Sequence, residues 1–281
     1  MAFLLRKGFS TSIKVPKTCN LDWLFASEKQ SPSSIKLIDS VPAFKSELTK
    51  FAQGAIWQKN DITFHIFKEE EILKYREIIA ECFTQHASFR KYIDFTFDEF
   101  IEYELPEYQE QSDFLKYSVA AKVDGKLAGV QYSSSWGSRP EHPIYMKPNS
   151  KDVWKKFDNF GTILHDCIPF DFLQPDEKGR LPPGALNPNS VLYWSNAGVL
   201  PAYKGKNLSY DLKFLGAAVA YLNGLQYAMS VSFDSRSSFI SKIGGVSFKP
   251  IYLRDFEVDG VRQYPTATEN DYVTCCFLNL S

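Results

Sequence analysis

The chain has 281 residues, and its 32 basic and 33 acidic side chains leave a net charge of −1 with neutral histidines. This balance argues against nucleic acid as a partner, because nucleic-acid-binding domains concentrate Lys and Arg. A chain of this length forms one large domain or two small ones, and it buries roughly 70–75% of its unfolded surface without disulfides or metals. No apolar run reaches the roughly 18–20 residues of a membrane span, so we expect none.

Residues 1–17 carry four basic side chains, several Ser and Thr, and no acid. This composition is typical of a mitochondrial transit peptide, and a disordered basic tail is the alternative. We expect a cytoplasmic protein. If residues 1–17 act as a transit peptide, the alternative is a mitochondrial location. Residues 1–60 show only weak periodicity and are predicted to be an extension ahead of a main domain at 61–281.

The cysteines are odd in number and contain no Cys-x-x-Cys pair, which disfavours both a metal site and a disulfide framework. We predict that all are reduced, that the protein is intracellular and that it binds no metal. Two of them are neighbours on a predicted strand and should face opposite sides of the sheet. The five cysteines are Cys19, Cys82, Cys167, Cys275 and Cys276.

The first elements of the main domain are a strand and two helices. The sequence ITFHIF at 62–67 alternates as a strand does, and a helix follows that opens with three glutamates at 69–71. A second helix is predicted to begin at a capping box formed by Thr96 and Glu99, and Pro106 ends it. The dipeptide Asp124-Gly125 between two apolar runs then predicts a β-hairpin.

A long insertion at about 137–190 interrupts the pattern. It holds one amphipathic helix and then a Pro-rich polar loop, and loops of this length are usually functional or disordered. The apolar stripe of the helix consists of Val153, Phe157, Phe160, Leu164 and Cys167.

The segment after the insertion carries the most information. A strand, VLYWSNAGVLP, enters the turn AYKGKNLS, and a helix over Leu208–Leu222, a strand QYAMSVSF and a short helix ending in KIGGVSF follow. Two last strands, SFKPIYLRDFEV and DYVTCCFLNL, flank a turn at Asp259-Gly260. Crossovers of the strand-helix-strand type together with a hairpin predict an α/β fold with a mixed sheet and helices on both faces.

The turn at 204–209 is the predicted binding site. A strand that stops at a glycine-bearing turn on a helix N-terminus leaves several backbone N–H groups in one small space, which suits pyrophosphate. An ordinary turn with surface lysines is the alternative. The residues of this turn are Lys204, Gly205, Lys206, Asn207, Leu208 and Ser209.

This order of elements resembles the GNAT superfamily of N-acetyltransferases, and most of all its animal arylalkylamine and polyamine-type branch. Val199, Pro201 and Tyr203 match the V-x-P-x-Y pattern that ends the family's cofactor strand, and KIGG stands where the family has K-x-G-F. The likeness covers about 62–280. It implies a partly splayed sheet, acetyl-CoA as co-substrate, and direct transfer of an acetyl group to a small primary amine in a ternary complex.

The loop departs from the family pattern R/Q-x-x-G-x-G/A at three positions. Lys204 replaces Arg or Gln, Asn207 replaces a glycine, and Ser209 replaces Gly or Ala. Asn tolerates positive φ better than most residues, so we expect the turn to survive. The departures also keep open a catalytically silent acyl-CoA-binding protein, and a fold-only interaction module is a third possibility.

The resemblance also implies roles in the chemistry. Backbone N–H groups of Ala197, Gly198 and Val199 would lie where the family's strand splays and holds the thioester. Where the branch has a glutamate base this chain reads CFTQHASF, so His86 is the candidate general base, and a solvated helix-end histidine is the alternative. His165 and Asp166 on the insertion helix form a rival pair.

The candidate acid and the acceptor site are predicted less directly. Ile240 occupies the position of the family's Tyr, so Ser237 on the same short helix is the candidate proton donor, and a helix cap is the alternative. Four aromatic side chains could form a wall for a cationic or aromatic amine, with core packing as the alternative. They are Tyr132, Trp136, Trp154 and Phe157. The oligomeric state stays open.

Overall fold

The computed structural model describes residues 42–92, 95–102, 113–138, 158–168, 187–233, 245–247 and 250–280. The predicted transit peptide, Trp154, Phe157 and the short helix with Ser237 lie outside the described residues. None of the described helices is long and apolar enough to cross a membrane.

The described strands are β1 (Trp57–Lys59), β2 (Ile62–Ile66), β3 (Val119–Val123), β4 (Lys126–Ser135), β5 (Val191–Val199), β6 (Tyr227–Ser232), β7 (Gly245–Ser247), β8 (Ile251–Tyr252), β9 (Glu257–Val258), β10 (Val261–Arg262) and β11 (Tyr272–Asn279). Nine of the strands form one sheet in the order β1-β2-β3-β4-β5-β6-β11-β7, with β8 also paired with β11, and β9 and β10 form a separate two-stranded sheet. In this part of the chain β5 and β6 are parallel and the other neighbours are antiparallel.

The described helices are α1 (Pro42–Ala52), α2 (Ile72–Glu81), α3 (97–102), α4 (Phe114–Tyr117), α5 (Asp158–Cys167) and α6 (Leu208–Leu222). A π-helical turn, Cys82–His86, extends α2. The predicted capping box at α3 is confirmed, because Thr96 N–H donates to Glu99 Oε2 at 2.8 Å and Glu99 N–H donates to Thr96 Oγ1 at 3.2 Å.

Helix α6 covers one face of the sheet and α1 packs on it. Phe44 of α1 stacks on Phe214 of α6 with ring centroids 6.3 Å apart, and Trp57 of β1 packs edge-on against Phe44 and Phe51. These side chains belong to one buried cluster with the strands beneath. The predicted boundary at residue 60 is therefore wrong for residues 42–59, because their apolar side chains complete the core of the main domain.

The opposite face carries two further clusters. Helices α2 and α3 cover β3 and β4 with side chains such as Tyr75, Ile79 and Phe100, which form the α2 core. Helix α5 and the segment before β11 cover β5, β6 and β11, and Leu164 and Cys167 of the predicted stripe contact this α5 core. The predicted mixed sheet with helices on both faces is thus confirmed.

The two predicted turns have the expected geometry, whereas one predicted strand is broken. Asp124 and Gly125 have φ of 48° and 76°, and Asp259 and Gly260 have φ of 51° and 75°, as two-residue hairpin turns require. The predicted strand SFKPIYLRDFEV is interrupted by a 3₁₀ turn at Leu253–Asp255. That turn buries side chains three residues apart, at 253 and 256, which a strand cannot do on one face.

The described cysteines are free thiols. The neighbours Cys275 and Cys276 are both buried, because both faces of β11 are covered.

Candidate cofactor and acyl-transfer site

Strands β5 and β6 separate part-way along their length. The last residues that pair them are Trp194 and Ser230. β5 continues to Val199 and β6 to Ser232 without further pairing between the two in the described residues. The edge of β5 from Ser195 onward therefore faces an opening in the sheet.

A β-bulge lies at the start of this opening. Gln131 of β4 pairs with Ala197 and Ser133 pairs with Trp194, so Tyr132 opposes two residues of β5, Ser195 and Asn196. The Gln131 amide donates to the carbonyl oxygens of Tyr132 and Asn196, at 2.7 and 3.2 Å. The bulge is thus held by side chains, and it bends β5 where it leaves β6.

The pairing of β5 with β4 fixes which amides face the opening. Leu200 N–H donates to Ala128 O at 3.0 Å, and alternate residues of an antiparallel strand point the same way. The amides of Leu200 and Gly198 therefore face β4, and those of Val199 and Ala197 face away from it. Ala197 is exposed, so its backbone is accessible from the opening.

The end of α2 lies against this strand. A Cβ at Gly198 would come within 3.0 Å of Cys82 Sγ and 3.2 Å of Ile78 O, so α2 can sit this close only on a glycine. The Val199 N–H lies close enough to the Cys82 thiol to favour its deprotonated form, which is the smallest of the three effects on its pKa. Burial raises the pKa of Cys82 to about 12, with the nearby Glu81 charge as the next cause, so the thiol stays protonated at neutral pH.

The turn between β5 and α6 is the one that the sequence predicts to bind an anion. Gly205 and Asn207 adopt left-handed backbone, with φ of 84° and 57°, so the expectation that Asn207 tolerates a positive φ in this turn is confirmed. Tyr210 N–H donates to Asn207 O, which starts the helix. Four backbone N–H groups at this turn have no acceptor within the described residues: Gly205, Asn207, Leu208 and Ser209.

Those four amides lie at the positive end of a 15-residue helix. Unpaired N–H groups and the helix dipole both favour an anion at this position. The side chains of the two lysines differ, because Lys206 Nζ lies 2.6 Å from Asp61 Oδ2 and holds the pKa of that carboxyl below its ordinary value. Lys204 is exposed and has no ion-pair partner in the described part of the chain.

No protein-family model and no curated protein matches this chain. Solved structures do match. Arylalkylamine N-acetyltransferase 7 of the mosquito Aedes aegypti superposes with a TM-score of 0.61 at 12% identity, over 81% of this chain and 96% of that one. The C-terminal condensation domain of Ebony, solved with beta-alanyl-dopamine, gives 0.59 at 10% identity over 78% and 98%. A Drosophila melanogaster polyamine N-acetyltransferase gives 0.51 at 15% identity over 78% and 100%.

The fold is GNAT-like. Identities of 10–15% establish the fold alone, and the divergence of β5 from β6 is an observation of this chain's own pairing.

The candidate base of this GNAT-like chain is on the π-helical turn whose first residue, Cys82, lies against the strand with the open edge. His86 ends the π-helical turn that begins at Cys82, and its side chain is exposed. Glu81, the last residue of α2, is half-buried, and its charge reaches the Cys82 thiol. Glu81 was not predicted from the sequence as a candidate base. Its place one helical turn before His86, in the sequence ECFTQH, could have indicated it. Ser237 and the side chain of His165 lie outside the described residues.

The predicted aromatic wall is not formed by Tyr132. Its ring is fully buried between Phe67, edge-on at 4.8 Å, and Phe114, stacked at 6.4 Å, so core packing explains it. Trp136 is half-buried and packs edge-on against Tyr193 at 5.3 Å.

Three other side chains lie where the α2 core and the α5 core meet. Tyr92, Leu164 and Phe233 are half-buried and contact both clusters, and Phe233 directly follows β6 after that strand has left β5. We call them the junction residues. Sequence reasoning could not find them as a set, because they come from three distant segments with no shared motif.

A buried polar network joins β2, β3 and the start of α2. Tyr75 donates its hydroxyl proton to Glu71 Oε2 at 2.9 Å, and Lys122 Nζ lies 3.0 Å from Glu71 Oε1. His65 Nε2 lies 3.1 Å from the Tyr75 oxygen, so the proton of the neutral ring sits on Nε2. Burial, with Lys122 next, lowers the pKa of His65 to about 4. This histidine is thus a neutral structural group at pH 7.

Proposed function

We propose that the chain is an acetyl-CoA-dependent N-acetyltransferase that acylates a small primary amine. The observation that carries the proposal is that, among the described residues, β5 has an edge with no partner strand after Trp194 and leads directly into four amides without an acceptor at the N-terminus of α6. A strand edge suits an extended amide-containing chain, and a helix N-terminus suits a diphosphate. Coenzyme A contains both groups in that order.

The residues present fit acetyl-CoA. The N–H groups of Gly205, Asn207, Leu208 and Ser209 would hold the diphosphate, with Lys204 and Lys206 as nearby cations. Of the three predicted strand residues, Ala197 and Val199 would offer backbone groups to the pantetheine arm, since the backbone of Gly198 pairs with β4. The bound co-substrate supplies the activated acetyl thioester, and its thiolate is the leaving group.

Direct transfer is supported by the state of Cys82. It is the described thiol that lies against the open strand, and burial keeps it protonated. An acyl-enzyme through this cysteine would need the thiolate. We therefore propose direct attack by the amine, with His86 as the base that takes its proton and Ser237 as the donor toward the leaving sulfur. The Ala197 amide, which faces the opening, would stabilise charge on the thioester oxygen, whereas the Gly198 amide of the predicted set faces β4.

The proposed acceptor is an arylalkylamine or polyamine-like amine. The junction residues Tyr92, Leu164 and Phe233 would offer an apolar, partly aromatic surface where the α2 core and the α5 core meet, and Trp136 packs against the α5 core. Trp154 and Phe157 remain proposed members of the aromatic wall that would contact the amine. Among the similar folds, the Drosophila enzyme forms N-acetylagmatine, and Ebony was solved with an acylated arylalkylamine.

Two measurements test the proposal in sequence. Thermal unfolding with acetyl-CoA at about 100 times Kd should gain roughly 2.7 kcal/mol of stability. Release of free thiol is then followed across a panel of arylalkylamines and polyamines. Stabilisation without thiol release would indicate a catalytically silent acyl-CoA-binding protein. The departures from the family loop pattern at Lys204, Asn207 and Ser209 favour that alternative. No stabilisation at millimolar acetyl-CoA would leave only the fold.

A further inference from the structure

The turn between β1 and β2 touches the anion site twice. Lys59 Nζ lies 2.8 Å from Asp211 Oδ2, and the two side chains are only 9% and 0% exposed. Asp61 Oδ2 lies 2.6 Å from Lys206 Nζ, in a pair that is 38–42% exposed. Asn60 between them has φ of 52°, and this left-handed residue lets both neighbours reach the site. Each contact joins segments about 150 residues apart in sequence.

The two contacts have opposite effects on the charge of the site. Asp211 lies in the first turn of α6, the same helix end that carries the four amides, and its buried carboxylate would repel a bound phosphate if it were not neutralised. Lys59 supplies that neutralising charge. Asp61 instead occupies Lys206, a cation that the site could otherwise offer to the anion.

We propose that the β1–β2 turn sets the affinity of the anion site, with Lys59 neutralising Asp211 and Asp61 competing with the ligand's phosphate for Lys206. This inference rests on the proposed function only in naming the diphosphate of coenzyme A as the anion. Lys59 and Asp61 are positioning residues, since neither needs to touch the reacting atoms. Lys59 and Asn60 lie in the segment that sequence periodicity assigned to an extension, and Asp61 is the first residue of the predicted main domain.

The directions in which two substitutions change the Kd for coenzyme A distinguish this inference from a turn that only holds the loop in shape. Lys59→Met should raise the Kd for coenzyme A about tenfold, because a buried charge acts through a low dielectric. Asp61→Asn should lower that Kd about two- to threefold, since an exposed pair is screened. A clamp that only held the loop in shape would weaken binding in both variants.

The experiment measures the Kd of coenzyme A and of inorganic pyrophosphate by calorimetry at low salt, with melting curves for every variant. The double variant Lys59→Met, Asp211→Asn should return within about twofold of wild type, because it removes both charges. Glu257→Gln is the matched control for Asp61→Asn, as Glu257 also forms an exposed ion pair, with Arg262 at 3.4 Å. It should leave both constants unchanged.

The inference is overturned if both single variants shift Kd in the same direction, or if the folded double variant binds as weakly as Lys59→Met. If Lys59→Met does not fold, Asp61→Asn and Asp211→Asn decide, and neither should raise Kd. If pyrophosphate binds and its Kd changes in the expected directions in the variants, but coenzyme A does not bind, the proposed function is wrong and this inference is supported. Wild type that binds neither ligand would remove both.

Discussion

Gly198 of β5 and Cys82 at the end of α2 are in direct contact, and a Cβ on residue 198 would come within 3.0 Å of the sulfur and 3.1 Å of Cys82 Cβ. This contact sets the distance between the helix end and the strand with the open edge. His86 follows on the same π-helical turn. The position of the candidate base relative to the proposed thioester site therefore depends on one glycine and one cysteine.

We predict that Gly198→Ala destabilises the fold by about 1–3 kcal/mol, because the extra methyl group forces α2 away from β5. Removing the sulfur with Cys82→Ala relieves part of this overlap, but Cys82 Cβ and Ile78 O remain within 3.2 Å. The double variant should hence recover part of the loss and not all of it. Urea unfolding of the four proteins measures the coupling, and strictly additive effects would contradict this account.

The backbone at Asn207 leads to a prediction about the anion site. Its φ of 57° costs an alanine about 1 kcal/mol and costs a glycine nothing. Asn207→Ala should therefore weaken coenzyme A binding several-fold, whereas Asn207→Gly should preserve it. Asp259, with φ of 51° in the β9–β10 turn, is the matched control. Asp259→Ala should lower stability by a similar amount and leave the Kd for coenzyme A unchanged.

The elements that sequence predicts well are those fixed by local chemistry. The hairpin at Asp124-Gly125, the Thr96–Glu99 capping box and the limits of α6 follow from turn, cap and apolar patterns within a few residues. The left-handed turn between β5 and α6 belongs to the same class, since a glycine and an asparagine at a local strand-to-helix junction indicate it.

The features that sequence does not predict arise from long-range packing. The end of β5–β6 pairing at Trp194 and Ser230, and the ion pair of Lys59 with Asp211, depend on segments that meet only in the folded chain. Tyr132 illustrates the same limit, because its burial is decided by Phe67 and Phe114 from other elements. Helix α1 differs from these features, because the helical spacing of Phe44, Leu48 and Phe51 is a local signal in the sequence.

The buried histidine predicts how stability depends on pH. Folding holds His65 neutral with a pKa of about 4, whereas the unfolded chain takes up a proton near pH 6.5. The free energy of unfolding should thus fall by about 3 kcal/mol as pH drops from 6.5 to 4, and level off below that. Urea unfolding across this range measures the slope.

His65→Gln should flatten that slope, because glutamine keeps a polar group near Tyr75 but does not titrate. The matched control is His86→Gln, which changes an exposed histidine. It should retain the wild-type slope. Equal slopes in wild type and His65→Gln would mean that other groups govern acid stability.

The identity of the general base gives the last prediction. His86→Ala should lower kcat/KM about 10²- to 10⁴-fold at pH 7, because the attacking amine then lacks a group to take its proton. The deficit should shrink above pH 8, as a growing fraction of the amine is already uncharged in solution. Glu81→Gln is the competing variant, since Glu81 lies on the same helix end. A His86→Ala profile parallel to wild type, with the acidic limb lost in Glu81→Gln, would assign the base to Glu81 instead.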